Sequence, residues 1–285
     1  MYKPDPAPSP APLPAPIADT HTHLDIVGSG YPADEAVAPE PASDEVRELI
    51  DQAEAVGVAH LVQVGTDVAS SRWSASLAEA DERILAAVAL HPNEAPLLGD
   101  LDGALAAIDE LAAPPRVAAL GETGLDYFRT DESGRAAQQA SFRAHIEIAK
   151  RRGKTLVIHD RDAHADVLSI LDEEGAPDRV VLHCFSGDFA FANECARRGF
   201  YMSFAGNVTF KNAEQLRGAA AVAPAELVLV ETDAPFMAPM PVRGHRNHPA
   251  LTNYTARFLA DHLGRDLEKW CVQLGENTRG AFGDW

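Results

Sequence analysis

Cysteine is scarce in this 285-residue chain: only Cys184, Cys195 and Cys271 occur, and no two of them share a C-x-x-C spacing. That excludes a disulfide framework and predicts reduced thiols in a cytoplasmic protein. Long apolar runs are missing too. No stretch approaches the ~18 residues of a membrane span, and no basic segment leads into an apolar core as in a secretory signal. Positive charge is in short supply, with 24 Lys and Arg against 43 Asp and Glu and a formal net charge of -19. Such a surface repels nucleic acid at long range, which argues against stable, nonspecific DNA binding. It leaves a nucleic-acid substrate open, because metal ions and a few arginines can reverse the sign locally. Nor does a G-x-G-x-x-G follow an early strand, which disfavours a doubly wound dinucleotide-binding sheet.

What is present is an ordinary apolar fraction of 46%, ample for one large core. Prolines stand at 4, 6, 8, 10, 12, 14 and 16. This alternation favours polyproline II and cannot build a core, so residues 1–16 are expected to be a disordered or semi-rigid tail. From Ile17 to the C-terminus, apolar β-branched runs alternate with helical patterns. Strands are expected at Ile17–His23, Val58–Val64, Ile84–Leu90, Arg116–Gly121, Thr155–His159, Arg179–His183, Phe200–Phe204 and Leu227–Glu231. Helices are expected between them, one beginning at Ser43 or Asp44 after an acidic loop and a long one near 133–152 stopped by Gly153. Eight βα units over residues 17–285 predict an α/β fold, a (β/α)8 TIM barrel with its functional side chains at the carboxyl ends of the strands.

Six potential metal ligands stand at or just past those strand ends: His21, His23, Glu122, His159, His183 and Asp233. Residues i and i+2 of a strand share a face, so His21 and His23 project together. An H-x-H pair alone occurs by chance. Repetition of histidine at two further strand ends raises its weight, since imidazole is seldom placed in an apolar strand without a hydrogen-bonding or metal role. Glu122, between glycines, can bridge two metals or simply cap a helix. Asp233 is the candidate general base, its plain alternative being an Asx turn before Pro235. Two divalent cations at such a rim activate water for metal-assisted hydrolysis. Secondary candidates for substrate contact are His91, which ends the third strand, and Arg161, Lys211 and Arg243 as phosphate clamps. Each of these cations could equally be a surface ion pair. Asp126 and Tyr127 are candidates for the rim beyond Glu122, and Cys184 reads as a packing residue.

The stretches DTHTHLD, ALHP, GETGLDYF, TLVIHDRDAHADVL, HCFSGD, LVLVETDAPFMAP and PVRGHRN, in this order, resemble the TatD family of metal-dependent hydrolases within the amidohydrolase-like superfamily. The resemblance runs from about Ile17 to Phe282. It implies that His21, His23 and Asp233 hold one metal, His159 and His183 the second, and that Glu122 is shared between them. It also implies magnesium, manganese or zinc, and a deoxyribonuclease activity often directed at 3′ ends. One departure is His248-Pro249, where the family usually carries Glu-Pro after its R-G-x-R-N stretch.

The expectation is therefore a cytoplasmic two-metal phosphodiesterase, a 3′–5′ exonuclease-like DNase that engages short or single-stranded DNA ends transiently and no membrane. Catalysis is expected to rest on Asp233 and Glu122. Two alternatives remain. The same centre could hydrolyse an amide, ester or lactone, because fold does not fix substrate. A non-catalytic partner protein could instead dock through its proline tail.

Overall fold

The computed structural model describes residues 7–29 and 38–285. Eight strands form one sheet: β1 (Ile17–Thr22), β2 (Val58–Val64), β3 (Ile84–Val88), β4 (Val117–Asp126), β5 (Thr155–Arg161), β6 (Val180–Leu182), β7 (Tyr201–Phe204) and β8 (Val228–Val230). They lie side by side in sequence order, and every pairing is parallel. The helices are α1 (Leu24–Gly28), α2 (Asp44–Ala55), α3 (Val68–Ala80), α4 (Leu101–Leu111), α5 (Glu132–Arg152), α6 (His164–Glu174), α7 (Phe189–Arg197), α8 (Glu214–Val222), α9 (Thr252–His262) and α10 (Leu267–Phe282). Parallel neighbours require crossover helices, and this alternation supplies them. The fold is a (β/α)8 barrel. Among the described residues no helix is long and apolar enough to cross a membrane.

The sheet closes just past β8. Asp233 donates its backbone N–H to the His21 carbonyl at 2.9 Å, and His23 donates to the Ala234 carbonyl at 3.0 Å. This closure carries Asp233 to the end of β1, which is why residues more than about 200 positions apart become neighbours. Inside the barrel, Val62, Val64, Leu85, Ala87, Val157, Val181 and Leu229 form a cluster of their own. Ala281 and Phe282 of α10 seal it at the amino ends of the strands, where Thr155 donates its hydroxyl to the Ala281 carbonyl. The larger core lies between strands and helices and buries Trp270, Phe142, Phe185 and Phe204. Each such side chain contributes about 1.5–3 kcal/mol.

Local signals set the element ends. Ser43 caps α2 by accepting the Val46 N–H, and Gly153 ends α5 in the left-handed conformation. The acidic loop expected before α2 falls mainly in residues 30–37, outside the described residues, as do residues 1–6 of the tail. Two expectations are corrected. Residues 7–16 are not a free tail: Leu13 is buried and donates its N–H to the Val56 carbonyl, while Arg257, Asn253 and Tyr254 donate to the carbonyls of Ala11, Pro12 and Pro8. Polyproline II leaves every carbonyl unpaired, and polar side chains of α9 collect them. Second, β4 and β5 run past the ends of their apolar runs, so Glu122 lies within a strand rather than after it, and His159 stands two residues before the end of its strand rather than at it. The pairing of Gly124 with His159 and Asp126 with Arg161 continues the ladder through polar residues.

Candidate metal centre

Glu122 sits at the middle of the site, 4% exposed. Gly121 and Gly124 bring it there. A Cβ on Gly121 would meet the Val157 side chain at 2.4 Å, and one on Gly124 the His159 carbonyl oxygen at 2.3 Å. Only glycine lets β4 lie this close to β5. The two carboxylate oxygens of Glu122 then face different pairs of imidazoles. Oε1 lies 3.5 Å from His21 Nε2 and 3.5 Å from His23 Nε2. Oε2 lies 2.8 Å from His183 Nε2 and 3.1 Å from His159 Nδ1. Asp233 completes the β1 side, its Oδ1 3.8 Å from His23 Nε2.

Three of these imidazoles are oriented from behind. His23 Nδ1 bonds the Val64 carbonyl at 2.9 Å. His183 Nδ1 bonds Glu231 Oε1 at 3.3 Å, and His159 Nε2 bonds Asp126 Oδ2 at 3.2 Å. Carbonyls and carboxylates accept, so each ring donates from its outward nitrogen, and the nitrogen facing Glu122 is the one a cation would take. That is the arrangement in which metal-binding imidazoles are held. His21 is fully buried and stacked on His183 at 3.9 Å, and neither of its ring nitrogens has a hydrogen-bond partner. A buried imidazole left unbonded is costly. The donor set of four imidazoles and two carboxylates fits a divalent cation such as zinc, manganese or iron. His21, His23 and Glu122, and His21, His183 and Asp233, each offer three ligand atoms within 4.8 Å of one another.

The electrostatics follow from burial and crowding. Burial pushes His21 down to about 4, with the neighbouring His183 adding to the effect. Burial likewise lowers His91 to about 3. For Glu122 burial opposes ionisation, but His183, His91 and His159 outweigh it and hold the carboxyl well below its usual range. Burial raises Asp233 to about 7 against the pull of His183 and His23. Asp233 also holds a left-handed backbone, φ 52°, as do Asp162, Cys184 and Met237. All four stand in loops after β5, β6 and β8, at the mouth of the barrel. Strained non-glycine backbone of this kind concentrates at functional sites.

The six expected ligands are thus brought together. His91 joins them, its Nε2 3.7 Å from Glu122 Oε2. Arg161 lies two residues past His159 with its guanidinium 3.9 Å from the Phe128 ring centre, and Arg243 lies 4.1 Å from that of Phe210. Lys211 is exposed, and its carbonyl accepts from Arg217; no side-chain contact ties it to the cluster among the described residues. Cys184 has its thiol pushed far up, chiefly by burial, as suits a packing residue. His248 opens the turn Pro249–Leu251 with its Nδ1 buried and unbonded. Asp126 does more than line a rim. It grips His159, accepts from Asn93 at 3.2 Å and takes the backbone N–H groups of Phe128 and Arg129. Glu231 was read only as the end of a strand, and Asp19, beneath His21, carried no expectation. Asp19 accepts from the Thr232 N–H and hydroxyl, and burial raises its carboxyl to about 8. A cavity of about 580 Å³ is lined by Asn93, Pro96, Leu97 and Arg129 among others, and by none of the six candidate ligands.

Comparison with known proteins places the chain in a family. The family model described as TatD related DNase matches residues 18–283. An uncharacterized metal-dependent hydrolase TatD of Mycobacterium tuberculosis is 44% identical over 269 residues, covering 93% of this chain and 97% of its own length. The uncharacterized metal-dependent hydrolase YabD of Bacillus subtilis is 37% identical over 266 residues, 93% of this chain and 98% of its own. The crystal structure of YJJV, a TatD homolog from Escherichia coli K12, matches with a TM-score of 0.82 at 26% identity, over 93% of this chain and 97% of that one. With its histidines and acids gathered at the mouth of the barrel, the chain belongs to the TatD-related DNase family and is a metal-dependent hydrolase.

Proposed function

We propose that this chain is a two-cation phosphodiesterase that trims DNA, acting on short or single-stranded 3′ ends in the cytoplasm. The observation that carries the reading is the division of Glu122 between two pairs of imidazoles, His21 and His23 on Oε1 and His159 and His183 on Oε2. A carboxylate so placed would be shared between two cations, with Asp233 as a further ligand on the β1 side. Two divalent cations supply Lewis acidity, which makes water a nucleophile at neutral pH and offsets phosphoryl charge.

The remaining work falls to the protein. Asp233 is more open than His21, His23 or Glu122, with a side chain 13% exposed, and so meets entering water. It orients that water and takes its proton on a carboxylate oxygen. Arg161 and Arg243 lie over phenylalanine rings with no carboxylate partner among the described residues, which leaves their guanidinium edges for the flanking phosphates. They lend a positive mouth to an otherwise acidic molecule. Lys211 is a third candidate for the same role.

The test is release of mononucleotide from 3′-labelled single-stranded DNA with magnesium or manganese. Cleavage should exceed that of Asp233→Ala by at least about a hundredfold, the range of a lost proton acceptor. Equal rates end the DNase reading. Bis-p-nitrophenyl phosphate compared with p-nitrophenyl esters then separates a phosphodiesterase from an esterase built on the same centre.

A further inference from the structure

We infer that His91 is a fixed hydrogen-bond donor to the substrate, and that it does not ligate a metal. Its position alone suggests the opposite, since His91, Glu122 and His159 offer three ligand atoms within 4.8 Å of one another. Its wiring decides the matter. His91 Nδ1 accepts the backbone N–H of Asn93 at 3.0 Å. An amide N–H can only donate, so Nδ1 presents a lone pair there, and the neutral ring carries its hydrogen on Nε2. Nε2 is the nitrogen that faces Glu122, and the ring meets His159 edge-on at 4.7 Å.

The other oriented rings are wired in reverse. His23, His159 and His183 each give an N–H outward, to Val64, Asp126 and Glu231, which leaves the inward nitrogen for a cation to take. His91 spends its lone pair on Asn93 and turns an N–H inward. It has nothing left to give a cation. Nor can it act as a proton-transferring acid. Losing the Nε2 hydrogen from a neutral ring would leave an imidazolate, and a second proton on Nδ1 would collide with the Asn93 N–H. What remains is a hydrogen bond that strengthens as an oxygen of the substrate gains negative charge, with no bond to His91 made or broken. That oxygen is a non-bridging phosphoryl oxygen, an identification that rests on the phosphodiesterase reading.

Two substitutions separate the two nitrogens. His91→Asn keeps an acceptor for the Asn93 N–H and removes the inward donor. His91→Gln keeps a donor near Nε2 and removes the acceptor. With bis-p-nitrophenyl phosphate, kcat should fall about a hundredfold in His91→Asn, the usual cost of one lost oxyanion donor, and much less in His91→Gln. Bound metal per chain should match wild type in both. Nitrogen-15 spectra of the magnesium-loaded wild type should show a protonated Nε2 and an unprotonated Nδ1 on His91. The reverse order of rates would make His91 a structural cap, and metal loss in His91→Asn would make it a ligand. Either result, or a protonated Nδ1, overturns the inference. If wild type leaves the phosphodiester intact, the proposed function fails, while the spectra and the metal content still decide His91.

Discussion

Glu231 shows how a residue that touches no substrate can govern this site. Its Oε1 accepts from the His183 ring at 3.3 Å and from the Cys184 N–H at 2.8 Å, fixing both the tautomer and the direction of a candidate ligand. Glu231→Gln should weaken metal binding about 10–100-fold, the usual cost of losing such a partner. Saturating metal should restore most of kcat, and calorimetric titration of the metal-free protein checks this. His145 governs stability instead. It is fully buried, accepts the Leu90 N–H on Nε2, and is lowered to about 4 by burial. Above pH 6.5 neither the folded nor the unfolded chain protonates it, so its full contribution is present. Between pH 6.5 and 4 the unfolded chain takes the proton first, and stability falls as pH drops. At about 1.4 kcal/mol per pH unit this limb amounts to about 3 kcal/mol. Urea unfolding at several pH values should show that much less acid sensitivity in His145→Gln than in wild type.

Among the elements, the described part of the proline segment behaves as a strap across the amino ends of β1 and β2. Removing residues 1–16 should lower Tm, since Leu13 alone contributes about 2 kcal/mol. It should leave kcat unchanged, because the strap lies at the opposite end of the barrel from the metal centre. A fall in kcat would mean that the segment serves the site. The strap also marks where sequence reading runs out. Alternating prolines announce an extended chain, but its partners, Asn253, Tyr254 and Arg257, belong to a helix some 240 positions away. The strands were legible because parallel strands buried on both faces are continuous apolar runs. The six ligands were legible because each stands at or close to such a run's end. Asp126 as the partner of His159, and Glu231 as the partner of His183, were not, because each pairing depends on how two strands lie in register. The lengths of β4 and β5 were hidden for the same reason, their last residues being held by backbone ladders that carry no apolar signature.

For the whole molecule, a net charge of -19 and the proposed DNA substrate, itself a polyanion, are in tension. The tension eases if contact with DNA is confined to the mouth, where Arg161, Arg243 and the proposed cations would face the strand. Few phosphates are then neutralised by protein side chains. With two such contacts, log(1/KM) for single-stranded DNA should fall with log[salt] at a slope of about -1.4. A slope several times steeper would mean that DNA contacts extend well beyond these two arginines. The central claim concerns the metal pair. The most direct measurement is manganese stoichiometry combined with electron paramagnetic resonance on the manganese-loaded chain. The account predicts two manganese ions per chain with an exchange-coupled signal that disappears in Glu122→Gln. One ion per chain, or two ions with uncoupled signals in wild type, would contradict it.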